Sequence, residues 1–371
     1  MTVTLDHRDA TPPASPPPAP AQIPDDRPRS TRRRTKDDML SIAGAAVGSL
    51  AIVWLVYERL LAWSGTVGFF VWWYAAFLAF YAVLVSFSNP RTVVVDRLAA
   101  VWVHAGAFVV GAALTTVIIY TFVQGRHALM HPNFFVHDMS GVAPSATLAH
   151  GGVLHAILGT VEEIAVAIAI SLPLGVGTAV YLTEVGGRGS RAVRTVVEAM
   201  TALPEILAGL FVYVAFVVGL GYAKTGLAVS IAMTITMVPI IARSGEVALR
   251  VVAGGLREAG LALGASHWAT VRKVVLPSAR AGLATALILS VARGIGETAI
   301  PLILSGASSF TNVDLFKDPM NSLPLYIFVS VRSAEPTAIE RGFGAASILL
   351  TFVLFLFVLI RFLARDKASS R

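Results

Sequence analysis

Residues 258–304 read EAGLALGASHWATVRKVVLPSARAGLATALILSVARGIGETAIPLIL. The first half is a polar, glycine-punctuated loop that closes on Leu276-Pro277. The second half is an apolar run with Arg293 and Glu297 inside it. About 20 apolar residues suffice to cross a bilayer, which predicts a membrane span over 282–305. An arginine at the middle of a span costs about 2.5–3.5 kcal/mol on insertion scales, a cost that pairing or a polar cavity lowers. Arg293 and Glu297 are four residues apart, which predicts one shared helix face. Charges so placed mark a substrate or ion path more often than a lock between helices. Gly294 and Gly296 flank them and allow close backbone approach.

The rest of the chain agrees with a membrane reading. Its 371 residues are 56% hydrophobic and only 14% charged, with a mean hydropathy of +0.73. Soluble domains carry about 25% charge. The expected class is all-α and polytopic, with eight spans at 39–63, 67–88, 98–123, 153–182, 203–221, 226–248, 282–305 and 343–364. With the N-terminus inside, inner segments hold 22 of the 29 Lys and Arg residues and outer segments hold five. That asymmetry predicts both termini on the cytoplasmic side of the inner membrane. It also accounts for the net charge of +7 without nucleic acid as a partner. No cysteine is present, so neither a disulfide nor a thiolate metal site is available. No cleavable signal peptide is visible. Residues 1–38 are proline-rich and basic, with Arg32, Arg33 and Arg34 in a row, and read as a disordered cytoplasmic tail.

Several other features bear on function. His127 and His131 are spaced to share a helix face, but no third ligand is evident, so the outer 124–152 segment reads as a histidine-bearing surface loop and not a metal site. A second outer loop, 306–342, carries Asp314, Lys317 and Asp318. Glu162 and Glu163 are adjacent on the fourth span, pointing about 100° apart. Arg243 follows Pro239 on the sixth span. It either reaches the inner surface or faces the same cavity as Arg293. Two arginines in one groove suit an anion with several oxygens: phosphate, sulfate or molybdate.

The loop between spans six and seven has enough apolar residues to fold, among them Leu256, Leu261, Leu263 and Trp268. Arg257 and Glu258 are placed to open a short helix, Gly264 to end it with positive φ, Ser266 to cap a second helix and Pro277 to stop that one. The loop therefore reads as helix, turn, helix against the inner membrane face. No phosphate-binding G-x-x-x-x-G-K-[ST] loop, H-E-x-x-H or G-x-S-x-G is present, so the chain reads as non-catalytic.

The loop spacing is Glu258-Ala259-Gly260, three residues, Gly264, nine residues, Val274, one residue, Leu276-Pro277. It resembles the EAA loop of ABC-importer membrane subunits, with Gly260 for the second alanine and Val274 for isoleucine. ARGIGETAIPLIL at 292–304, LPLGVGTAVYLTE at 172–184 and NSLPLYIF at 321–328 resemble signatures of the PstA family of phosphate permease subunits. Glu205 and the inserted Ile300 depart from that family's pattern.

The resemblance covers about 98–365 and implies a type I ABC importer permease fold of six core spans. Residues 39–97 would then be two additional N-terminal helices, and 366–371 a cytoplasmic tail. It further implies a phosphate path at Arg293, Glu297 and Arg243. Glu258, Ala259, Gly260, Gly264, Leu276 and Pro277 would couple to an ATPase, within the 250–280 loop. The implied partners are a second, similar permease, an ABC ATPase dimer holding ATP and Mg, an extracytoplasmic phosphate-binding protein and membrane lipid. This chain itself would bind no cofactor. A permease for molybdate or sulfate, or a secondary transporter without an ATPase, are the alternatives.

Overall fold

In a computed structural model, residues 36–61 and 63–363 are described, and every described element is helical. Residues 1–35 of the expected 1–38 tail and the basic residues Arg365, Lys367 and Arg371 lie outside them, whereas Lys36, Asp37 and Asp38 belong to the first helix. By their contacts the residues group into two units, 1–111 and 112–371.

In the first unit, α1 (Lys36–Trp54), extended by a π-helical turn Leu55–Leu60, pairs with α2 (Thr66–Ser86). Ala45, Tyr81 and Val85 are buried between them, and Trp73 Nε1 donates to the Ala46 carbonyl at 3.2 Å. A membrane supplies no water for an unpaired indole N–H, so this bond also orients the two helices. α3 (Arg91–Leu129) begins in this unit and is longer at both ends than the expected 98–123.

The second unit continues with α4 (Asn133–Val136), α5 (Leu154–Val180) with its π-helical extension Tyr181–Val185, α6 (Ser190–Ala202), α7 (Glu205–Val212) with Tyr213–Gly219, and α8 (Gly226–Arg250). It ends with α9 (Gly254–Ala262), α10 (His267–Thr270), the π-helical Val271–Val275, α11 (Leu276–Ile295), α12 (Ala299–Leu304), α13 (Leu323–Val331) and α14 (Pro336–Leu363). Seven helices are long and apolar enough to cross a membrane, or eight if the pair α6–α7, bent by 103°, counts as one span. α8 is the central one: 61% of its apolar window is buried, against 6% for α2. Its small residues Ala228, Ala232, Ala242 and Gly245 let α5 and α11 pack closely on either side. Large apolar residues such as Phe211, Leu354 and Phe362 face outward, as a lipid-facing surface requires. The chain is a multi-pass membrane protein.

Two expected elements differ. The segment around Arg188, Arg191 and Arg194, expected as a loop, contains α6, whose polar and apolar faces produce no long hydrophobic run. The seventh span is not continuous: α11 ends at Ile295 and α12 starts at Ala299. Pro301, within α12, has no N–H to give the carbonyl of residue 297, which weakens any continuation of the helix across the break.

Opposite the α9 end of this unit, Asp138 joins two long connections. Its Oδ2 accepts from the Thr311 N–H at 2.8 Å and the Thr311 hydroxyl at 2.9 Å. Within α5, Glu163 is fully buried and neither carboxyl oxygen has a partner, whereas Glu162 is half-buried. Enclosing a carboxylate costs far more than enclosing an amide of the same shape. Glu163→Gln should therefore keep the thermal midpoint of the purified protein at or above the wild-type value. A clear fall would mean that the carboxylate has a partner in the assembled transporter.

Candidate functional site: a charged helix break and a docked loop

The helix break places a charged cluster between α7, α11 and α12. Arg293 stands in the last turn of α11, where a cation suits the helix dipole. Its guanidinium pairs with Glu205, the first residue of α7, where an anion suits the dipole. The Arg293 side chain is 58% exposed and that of Glu205 27%, so the pair lies open on the surface of this unit rather than sealed in its core. The expected Arg293–Glu297 pairing on one helix face does not form. The helix has ended before Glu297, whose Oε1 instead accepts the Ala299 N–H at 2.9 Å. It thereby satisfies one of the unpaired donors at the start of α12. Glu297 also lies beside Glu205, so one arginine is shared by a site with two carboxyls.

Arg243 is exposed on α8 and has no ion-pair partner among the described residues. Ser290 Oγ bonds to the Met237 carbonyl, and Gly245 and Gly282 approach Leu283 and Ala248. These contacts run α8 and α11 antiparallel and set Arg243 level with about Ala286. Arg243 is therefore roughly 10 Å along the helix from Arg293, at 1.5 Å per residue. The two arginines do not meet; they occupy successive levels.

At the α9 end the loop has the expected helix-turn-helix form, with different boundaries. α9 opens at Gly254, ahead of Arg257 and Glu258. Gly264 ends it with φ of +81°, a conformation that favours glycine. Ser266 Oγ accepts the Ala269 N–H at 3.3 Å and caps α10. Pro277 does not stop this helix but lies in the first turn of α11. It follows directly on the π-helical turn at 271–275, where the helix is already locally distorted. Gly260 has a local reason as well: a Cβ there would come within 2.9 Å of Thr270 Cγ2.

Leu256, Leu261, Leu263 and Trp268, expected to be buried, are 45%, 46%, 89% and 60% exposed, and Glu258 and Ala259 are exposed beside them. An exposed apolar patch on an ordered loop marks a surface for another protein or for the membrane.

The loop is fastened by a side chain that its spacing does not single out. Arg257 bonds Glu184 Oε1 through Nη2 at 2.8 Å. It also donates to the Val252 and Leu249 carbonyls at 2.7 and 2.9 Å. Nearby, Glu246, 7% exposed, pairs with Arg194 on α6 at 2.6 Å and with Arg250 at 2.5 Å. Arg257 thus ties α9 to the ends of α5 and α8, and Glu246 ties α8 to α6. Among the described residues no three His, Cys, Asp or Glu side chains gather as a metal set.

Comparison with known proteins decides the family. Residues 171–369 match the family described as binding-protein-dependent transport system inner membrane component. The chain belongs to this family. "Phosphate transport system permease protein PstA 1" of Mycobacterium tuberculosis (strain H37Rv) is 38% identical over 66% of this chain and 80% of its own length. "Phosphate transport system permease protein PstA" of Mycobacterium leprae is 38% identical over 67% and 82%. The PstA protein of Pasteurella multocida is 31% identical over 59% and 78%. The matched 171–369 region of this inner membrane component contains both the docked loop and the charged break. Glu205, Arg257 and Glu184 were not legible as site residues. Glu205 was visible as an acid placed directly after Pro204 in an apolar run, a signal of a helix start facing something charged.

Proposed function

We propose that this chain is the membrane-spanning permease subunit of an ATP-driven importer that moves inorganic phosphate across the inner membrane. The mycobacterial relatives named as phosphate permeases carry the choice of substrate, since arginine chemistry suits sulfate and molybdate equally well. In this reading both termini are cytoplasmic, 98–365 is the permease domain, and 39–97 adds two helices in front of it. The exposed face with Glu258, Ala259, Gly260 and Gly264, leading to Leu276 and Pro277, meets an ABC ATPase dimer. That dimer binds ATP and Mg and hydrolyses ATP; this chain binds no cofactor. A second permease subunit covers the face carrying Arg293 and Arg243, and an extracytoplasmic phosphate-binding protein docks on the outer loops.

The Arg293–Glu205 pair supports a definite substrate step. Without anion, Glu205 occupies the guanidinium. Incoming phosphate competes with Glu205, takes the guanidinium fork, and is later returned to water as Glu205 re-pairs. Glu297 keeps the break open by capping α12. Arg243, one level inward, offers the next cationic contact.

The test is uptake by the purified complex in vesicles containing ATP, with phosphate, sulfate and molybdate compared at equal concentration. Phosphate-selective, ATP-dependent uptake is expected. Uptake of molybdate or sulfate alone would reject the substrate, and uptake on an ion gradient without an ATPase would reject the transporter class.

A further inference from the structure

The first unit contains a groove that the transport step above does not use. α3 meets the α1–α2 pair near its start, where Val94, Leu98 and Val101 pack against Ala45, Tyr81 and Val85. Beside this contact a cavity of about 740 Å³ lies between the three helices. Trp73 and Phe77 of α2 line one wall, and a stripe of α3 from Arg97 to Val109 lines the other. The small side chains of Ala100 and Ala105 on that stripe leave the room. Phe70 and Phe108 stand at the rim, 53% and 76% exposed, so the groove opens to its surroundings. His104 is on the stripe too. Its Nδ1 lies 2.6 Å from the Ala100 carbonyl, which can only accept, so the ring N–H is already bonded.

The length and the charge of this groove point to its occupant. Twelve residue steps separate Arg97 from Val109, about 18 Å at 1.5 Å per residue. Half of a bilayer's hydrocarbon core is about 15 Å. The groove thus has the length of one leaflet, with an arginine at one end. The three helices follow one another through short connections, so α1 and α3 run the same way and start on the same side. Arg32, Arg33 and Arg34 precede Lys36 by at most four residues, so the chain cannot carry them more than about 14 Å from the start of α1. Together 32–38 and 91–97 hold six basic and three acidic residues, a net charge of +3 on that side. An apolar helix of another subunit would fill the groove but leave the basic end unmatched. An anionic phospholipid matches both, and basic residues beside a span attract such lipids.

We propose that this groove binds one anionic phospholipid from the leaflet on the N-terminal side, its acyl chain along the α3 stripe and its phosphate at the Arg97 end. The inference goes beyond the transport reading and stands whichever oxyanion is carried.

The experiment places the intact complex in phosphatidylcholine nanodiscs with a rising fraction of phosphatidylglycerol that carries a photoreactive acyl chain. Adducts are mapped by peptide mass spectrometry after illumination. Saturable adducts are expected on α2 and α3, and unlabelled phosphatidylglycerol should compete where extra phosphatidylcholine does not. Ala105→Trp fills the groove and should remove these adducts. Val103→Trp, at a position 70% exposed and outside the groove, should leave them. Arg97→Gln should raise the half-saturating fraction roughly fivefold, the equivalent of about 1 kcal/mol per basic residue near the surface. Arg32→Gln, Arg33→Gln and Arg34→Gln together bring the local net charge to zero and should abolish the preference for phosphatidylglycerol. Adducts that do not saturate, adducts indifferent to Ala105→Trp, or an unchanged half-saturation in both arginine variants would each overturn the inference. So would groove peptides free of adduct, the result if another subunit fills the groove. If Ala105→Trp prevents assembly, the two arginine variants decide alone.

Discussion

Arg293→Ala is expected to lower phosphate uptake by about two orders of magnitude while the complex still assembles. Among the described residues the guanidinium is the cation paired at the helix break, and hydrogen bonds to charged groups contribute about 1.5–3 kcal/mol each. Its removal also leaves Glu205 and Glu297 facing an incoming anion. Glu205, the partner left behind, keeps 27% of its side chain exposed, unlike a carboxylate sealed in the core, so folding should survive.

The partner substitution should act in the opposite direction. Glu205→Gln removes the internal competitor, and an exposed ion pair amounts to about 0.2–1 kcal/mol, so half-saturating phosphate should fall roughly 1.4- to 5-fold. A pair that merely ties α7 to α11 predicts something else: both substitutions would reduce the yield of assembled complex, and neither would shift the phosphate dependence. Initial uptake rates across a phosphate series, with assembly scored by size-exclusion chromatography, separate the two.

Arg257→Ala should disconnect ATP hydrolysis from transport. Arg257 holds α9 to the end of α5 through Glu184, whose side chain is 4% exposed, and to two carbonyls at the end of α8. Breaking a buried pair by removing one partner costs about 3–5 kcal/mol, because the remaining charge is stranded. That is enough to detach the loop from the spans while its apolar face, with Leu261, Leu263 and Trp268, stays intact. ATP hydrolysis by the complex should persist, and phosphate moved per ATP should fall at least about tenfold. Arg257→Lys should restore little, since an ammonium cannot span a carboxylate and two carbonyls as a planar fork does. Adding Glu184→Gln to Arg257→Ala removes the stranded charge and should restore stability without restoring coupling. An unchanged transport-to-hydrolysis ratio in Arg257→Ala would exclude this linkage.

Much of the protein was determined by its sequence alone. A bilayer demands long apolar helices, and hydrophobic runs and the Lys and Arg asymmetry are local properties of the chain. The Glu258 to Pro277 spacing is local too, and so are the positive φ at Gly264 and the cap at Ser266. Whatever depends on residues far apart in the chain was decided by the tertiary structure. Arg293 finds Glu205, 88 positions away, instead of Glu297 four positions away, because α11 ends at Ile295, before Glu297 can join its face. Arg257 finds Glu184, and Leu263 and Trp268 are left exposed, because Val252, Val271 and Val275 already fill the apolar contact with the spans. Local periodicity gives the direction of a side chain on its own helix; which charge it meets is set by helix breaks and crossings, which only the packed chain contains.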